Sequence, residues 1–217
     1  MMFRGGIPKL VLLAEIAGED EDEIIKKLTE MRQAIERFHR PMRITTTTVE
    51  TNEYWVIRRE SFNLLRKHIH GKRTAPFIDD VIVRPEYLPE FLPKLTKLLN
   101  DSKIVFTIAG HAGDGNFHII PLMDMHDERN RAIIPELSEK VYDLVLSYGG
   151  SITAEHNDGL IRTGYLEKMY GKEVVELFRQ TKQIFDPQNI FNPGKKVPLS
   201  PDGPGSLAYM RNHLARE

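Results

Sequence analysis

Two short segments hold the residues best suited to chemistry: Gly110-His111-Ala112-Gly113-Asp114-Gly115-Asn116-Phe117-His118 and Ala154-Glu155-His156-Asn157-Asp158-Gly159. Together they supply three imidazoles, a glutamate and a set of glycines that let backbone and ligand come close. Two histidines and a glutamate, His111, His118 and Glu155, can fill half of a divalent cation's coordination sphere and leave positions open for a substrate. The remaining imidazole, His156, is then free to move protons near neutral pH.

Each residue also has a plainer reading. His111 and His118 lie seven apart with a turn between them, so they can face each other across a hairpin mouth, or each can be a half-buried strand histidine bonded to backbone. Asp114 fits a turn position. Asn116 is either a turn residue or an amide donor to a substrate carboxylate. Glu155 and His156 are adjacent and would point to opposite faces of a regular strand, so both address one site only from an irregular segment. Gly149, Gly150, Asn157 and Gly159 permit one. The plain alternative is a helix-start glutamate beside a surface histidine. Arg58, one turn after Trp55, is either a clamp for a planar carboxylate or a solvated face residue. Arg162 and the pair Lys195-Lys196 share that ambiguity, and Tyr54, Trp55 and Phe62 fit core positions.

The elements that must position these residues follow from periodicity. Lys9–Ala17 reads as a buried strand ended by Gly18, and the acidic run Glu19–Glu23 suits a helix start. Ile24, Leu28, Met31, Ile35 and Phe38 form one helical stripe, stopped by Pro41. Arg43–Glu50 is rich in β-branched residues and predicts a strand. A helix follows over Glu53–Ile69, then a polar link to Pro76, a short strand at Asp80–Val83 and a helix over Pro85–Leu99. Strands at Ile104–Ile108 and Phe117–Pro121 flank the glycine-rich turn, where Asp114-Gly115 suits a tight hairpin. A helix spans Asn130–Tyr148, stopped by Gly149-Gly150. The chain to Phe185 reads as helical except around Glu155-His156, and the segment after Pro198 reads as loosely held. This order predicts an α+β fold: a ferredoxin-like antiparallel sheet with helices on one face, over residues 1–148, and a C-terminal helical lobe over 149–197, with 198–217 as a tail.

Bulk properties narrow the partners. The 217 residues carry a formal net charge of -1, which gives no electrostatic reason to expect nucleic acid or an anionic membrane as partner. Hydrophobic residues make up 41% and no apolar run is long enough to span a bilayer, so a cytoplasmic protein is expected. With no cysteine, any metal must be held by His, Asp, Glu or backbone oxygen.

Three ordered motifs, residues 110–118, Gly-Ser-Ile-Thr-Ala-Glu-His-Asn-Asp-Gly (150–159) and Phe-Asp-Pro-Gln-Asn-Ile-Phe-Asn-Pro-Gly-Lys (185–195), resemble the C-terminal region of FAD-linked oxidases. This is the D-lactate dehydrogenase and glycolate oxidase group, related to vanillyl-alcohol oxidase, and the resemblance runs from Pro8 to Val197. It implies a cap, or substrate, domain and oxidation of a 2-hydroxy acid by hydride transfer to FAD. It implies that His111, His118 and Glu155 bind a divalent metal (zinc or manganese), and that His156 is the base. It also implies that Arg58 meets the substrate carboxylate; beside it, Asn116 is taken as a substrate contact and Asn192 as a cofactor contact. A cation chelated by the carboxylate and 2-hydroxyl would lower the hydroxyl pKa and orient the substrate.

Three departures qualify the resemblance. No glycine-rich FAD-binding segment precedes the cap, so the flavin domain is expected elsewhere in the same polypeptide or on a separate subunit, and the fragment alone is expected to be inactive. Asn157-Asp158 follows Glu155-His156 where many relatives carry Gly and an apolar residue, a variant resembling long members fused to an iron–sulfur domain. Ile78 stands where hydroxyglutarate-type relatives carry a substrate lysine, which favours a simple acid such as lactate or glycolate. Two other classes compete: a metal-dependent hydrolase using the same His/His/Glu set, and a non-catalytic ferredoxin-like binding module. The Asn-Pro-Gly-Lys motif has no role in the hydrolase.

Overall fold

The computed structural model describes residues 10–68 and 71–214, with side chains of 62–68 outside the description. It divides into two compact units, residues 1–68 and 69–217. Among the described residues the first holds two helices, α1 (Glu21–Glu36) and α2 (Thr48–His68). Asp20 caps α1 by accepting the N–H groups of Asp22 and Glu23 at 2.9 and 3.4 Å, so the acidic run is a helix start as expected.

Two predicted strands do not form here. Leu10–Ala17 forms no regular element, and Leu10, Val11 and Leu12 are largely exposed. Its apolar run is no substitute for a ladder partner. Lys9, Ile69 and the side chains of Phe62 and Leu65 lie outside the described residues. The β-branched run Arg43–Glu50 ends in a helix instead: the Thr47 hydroxyl accepts the Glu50 N–H at 3.4 Å and the Thr47 carbonyl accepts the Thr51 N–H. Thr47 and Glu50 stand in the spacing of a capping box, and that local signal overrides β propensity.

The second unit carries the sheet. Its described elements are β1 (Arg73–Thr74), β2 (Val81–Ile82), α3 (Leu88–Asp101), β3 (Val105–His111), β4 (Asn116–Met123), α4 (Glu128–Ser147), α5 (Gly159–Thr163), α6 (Leu166–Phe185) and α7 (Leu207–Asn212). β4 is central. β3 pairs along one side of it, with Ala109 opposite His118 and His111 opposite Asn116. β2 pairs on the other side, Val81 with Phe117, and β1 joins the far end. Ser151 then bridges to Ile82 beyond β2. Strand–helix–strand–strand–helix–bridge, with every pairing antiparallel, is the connectivity of a ferredoxin-like α+β fold.

Alternation along β4 sorts its two faces. Phe117, Ile119 and Met123 enter the core with Phe91, Leu95 and Leu99 of α3 and Ile134, Val141 and Val145 of α4. His118 therefore projects from the opposite face. At the hairpin, Gly115 adopts φ +74°, and the Val83 carbonyl occupies the space a Cβ would need. The turn holds a short 3-10 segment, Ala112–Asp114, with Asp114 exposed in it.

The boundary expected at 148/149 falls inside this unit. Ser151 exchanges two backbone hydrogen bonds with Ile82 at 2.9 and 3.0 Å, and Ile152 and Tyr165 join the same core. The tail after Pro198 is also tied down: Ser206 caps α7 through Tyr209 N–H, and Met210 is buried in the core. No helix among the described residues is long and apolar enough to cross a membrane.

Tyr142 of α4, fully buried, donates its hydroxyl to the Phe77 carbonyl at 2.6 Å and so fixes the chain just before β2. Tyr142→Phe leaves that carbonyl unpaired and is expected to cost about 1–3 kcal/mol. A lower urea midpoint at unchanged denaturant slope is the predicted result; an unchanged midpoint refutes the anchor.

Candidate metal centre and active site

Two adjacent carboxylates at the entrance to β2 organise the site. Asp80 is fully buried, and its backbone sits at φ +66°. Its carboxylate accepts the N–H groups of three successive residues, Ala154 at 2.9 Å, Glu155 at 3.1 Å and His156 at 2.8 Å. The Thr153 hydroxyl at 3.3 Å and the Asn116 amide at 3.1 Å complete the set. Successive N–H groups converging on one anion form a nest, here closed around a side chain of the same protein. Burial pushes the Asp80 carboxyl up, but the N–H groups of Ala154, His156 and Glu155 and the Asn116 amide hold it below its ordinary value.

The nest makes 153–157 irregular, with Asn157 at φ +64°, and this lets neighbours Glu155 and His156 serve one site. Glu155 Oε1 lies 2.9 Å from His118 Nε2, 3.4 Å from His156 Nε2 and 3.6 Å from His111 Nε2. The rings of His118 and His156 stack at 4.7 Å, and His111 meets His118 edge-on at 5.8 Å. Behind them Asp79 faces His118 Nδ1 at 3.1 Å and His156 Nδ1 at 3.2 Å. Against the effect of burial, the hydrogen bond to Asp79 and the surrounding carboxylates hold the His118 ring above its ordinary pKa. Buried Arg162 ties the loops together by donating to the backbone carbonyls of Asp79 and Asn157, with Asp80 at 4.0 Å.

Four of these donors, on Asp80, His118, Glu155 and His156, lie close enough together to hold a divalent cation, and His111 is not in that group. Metal–ligand distances of about 2.0–2.2 Å in a tetrahedral site place ligand atoms about 3.3–3.6 Å apart. The His111 and His156 separations from Glu155, 3.6 and 3.4 Å, fall in that range, and the His118 separation, 2.9 Å, is shorter. Asp80 also offers an oxygen within 4.8 Å of His118, Glu155 and His156 ligand atoms, but its carboxylate already accepts five donors, so it supports the loop from behind.

The structure thus brings together His111, His118, Glu155 and His156. Asn116 is next to them but buried, and its amide N–H groups go to Asp80 and the Val81 carbonyl, which leaves none for a substrate carboxylate. Arg58 lies exposed on α2 of the first unit, its guanidinium 5.7 Å from the Trp55 ring centre. Asn192 lies in the loop after α6, where its side chain accepts from Lys195. Ile78 is wholly buried in the core. Asp79 and Asp80 were not among the residues singled out by sequence. The available signal is two acids set between Phe77-Ile78 and Val81-Ile82-Val83, where an apolar strand has no ordinary use for them.

The family model for FAD linked oxidases, C-terminal domain, matches residues 8–196. The chain belongs to this family. Among curated proteins this FAD-linked oxidase domain is 28% identical over 198 residues to the D-2-hydroxyglutarate dehydrogenase of Escherichia coli, covering 88% of this chain and 19% of the relative. It is 34% identical to the mitochondrial D-lactate dehydrogenase [cytochrome] of Arabidopsis thaliana, covering 67% and 25%. To the D-lactate dehydrogenase of Archaeoglobus fulgidus it is 31% identical, covering 86% and 39%. The chain therefore spans well under half the length of these relatives.

Because the folded Asp80 carboxyl titrates below its ordinary value, its contribution to stability is complete above about pH 4 and is lost as pH falls through the lowered value. Asp80→Asn is expected to lower stability near pH 7 by about 3 kcal/mol. It should also flatten the acid limb of a urea-midpoint profile. Parallel profiles for the two proteins would refute the nest.

Proposed function

We propose that this domain is the substrate-side portion of an FAD-dependent 2-hydroxy-acid dehydrogenase, and that His111, His118 and Glu155 hold a divalent cation, zinc or manganese, beside His156 as base. The observation that carries this reading is the convergence of three imidazole Nε2 atoms on one Glu155 oxygen in a member of this family. The named activities of the relatives, on D-lactate and D-2-hydroxyglutarate, support the substrate class. The matched lengths support a flavin-binding part supplied by the rest of a longer polypeptide or by a second subunit.

Held by His111, His118 and Glu155, a divalent cation would act as a Lewis acid and lower the pKa of the substrate's 2-hydroxyl. The flavin supplies the hydride acceptor. The chain's own part is to orient and to take a proton. His111, Glu155 and His156 are each about half exposed at the side chain, so the open side of the cluster is reachable by a small acid. His156 Nε2 points to the same place as the ligand atoms and is the group that takes the hydroxyl proton. Arg58 matches the family's arginine that meets the substrate carboxylate, and Asn192 is assigned to the flavin side. Ile78 in place of the lysine of hydroxyglutarate-type relatives favours a short acid such as lactate or glycolate, although its side chain lies in the core rather than at the cluster.

Elemental mass spectrometry of the dialysed chain tests the metal assignment. Near-stoichiometric zinc or manganese is expected, with loss in His111→Ala and His118→Ala; unchanged content in both variants sinks the ligand set. In the complete enzyme, His156→Ala is expected to keep the metal and to slow flavin reduction by about 10²–10⁴-fold. A near-normal reduction rate there removes His156 from the mechanism.

A further inference from the structure

Asp79 presents one oxygen to each of two rings: Oδ1 to His118 Nδ1 at 3.1 Å and Oδ2 to His156 Nδ1 at 3.2 Å. The two imidazoles lie nearly parallel, 12° apart, between Asp79 on one side and Glu155 on the other. A carboxylate only accepts, so both Nδ1 atoms must carry the hydrogen. A neutral imidazole has a single N–H, and both Nε2 atoms then present lone pairs. In the neutral rings those lone pairs face a Glu155 oxygen at 2.9 and 3.4 Å, a repulsion relieved either by a proton on the ring or by a cation bound between them.

Asp79 is itself held from several sides. Its carboxylate is largely buried, at 14% side-chain exposure, and its backbone carbonyl accepts Arg162 Nη1 at 2.6 Å. The Tyr142 hydroxyl fixes Phe77 two residues before it. Neither oxygen can serve its ring if the carboxylate swings away, so one rigid group governs both imidazoles.

We propose that Asp79 is a positioning residue that sets the tautomers of a metal ligand and of the base together, locking His118 and His156 as Nδ1–H rings with their Nε2 lone pairs in the site. This rests on the reading of the cluster given under Proposed function. It assigns to one side chain the outer-shell role that ligating histidines ordinarily find in separate partners. It also couples the two rings, because a change at residue 79 cannot disturb one without the other.

Asp79→Asn tests this with little change in volume. The amide keeps one acceptor and gains a donor, so only one ring can remain Nδ1–H. The other must accept at Nδ1 and carry its hydrogen on Nε2, where it points into the cation position. Two-bond proton–nitrogen NMR of the metal-free, imidazole-labelled chain at about pH 9, where neutral rings predominate, reads the tautomer of each ring. The expected result is Nδ1–H on both rings in the wild type and one reversed ring in Asp79→Asn. In Asp79→Ala both rings should shift toward Nε2–H. Zinc affinity by calorimetry should fall about 10–100-fold in Asp79→Asn, with an unchanged circular dichroism spectrum. Tautomers that ignore residue 79 in both variants overturn the proposal, whatever zinc does. If the tautomers follow residue 79 but the wild type binds no zinc, the positioning of the rings stands and the metal reading falls.

Discussion

A single buried carboxylate, Asp80, is the interaction on which the site's geometry depends. An isolated charge in the protein interior is strongly unfavourable, and here five donors from residues 116 and 153–156 offset that penalty. In return those donors are ordered. The backbone of Ala154, Glu155 and His156 has no helix or strand to satisfy it, and the carboxylate does so instead. The loop is irregular because it wraps an anion, and being irregular it turns two adjacent side chains toward one place.

The neighbouring acids divide the work by direction. Asp80 reaches inward to the loop's backbone, whereas Asp79 reaches to the imidazoles on the outer face of the sheet. The sheet supplies the other half of the arrangement. Period-two alternation along β4 commits Phe117 and Ile119 to the core and leaves His118 on the opposite face, while the antiparallel register sets His111 across from Asn116. A one-residue slip of β4 would send His118 into the core and Ile119 into the site. Burial of the apolar face therefore fixes the register that the histidines need.

Much of this was legible in the sequence where the determinants are local. The hairpin around Gly115, the leucine stripe of α3 and the apolar stripe of α4 each follow from residues a few positions apart, and the structure places them close to their expected bounds. The grouping of His111, His118, Glu155 and His156 was visible because their types are unusual together. The role of Asp80 was hidden because its partners lie 36 and 73 to 76 residues away, and no periodicity reports such a pairing. Asn116 is of the same kind: an amide beside a histidine motif reads as a turn residue or a substrate donor, and its hydrogen bond to Asp80 leaves no local trace in the sequence. At the other end of the chain, Thr47 and Glu50 carried a helix-start signal that four threonines in a row disguised as a strand.

The long sequence separation between the two halves of the site has a consequence for how the protein is made. The β3–β4 hairpin closes over a handful of residues, so His111 and His118 can come together as soon as that stretch leaves the ribosome. Everything that completes the cluster must wait: Glu155, His156 and the Arg162 clamp on Asp79, the last of these a contact spanning 83 residues. A nascent chain halted before Thr153 holds His111, His118, Asp79 and Asp80 but no assembled centre. The site is thus a late product of synthesis and folding, formed only after the sheet, its two helices and the closing loop have all been laid down.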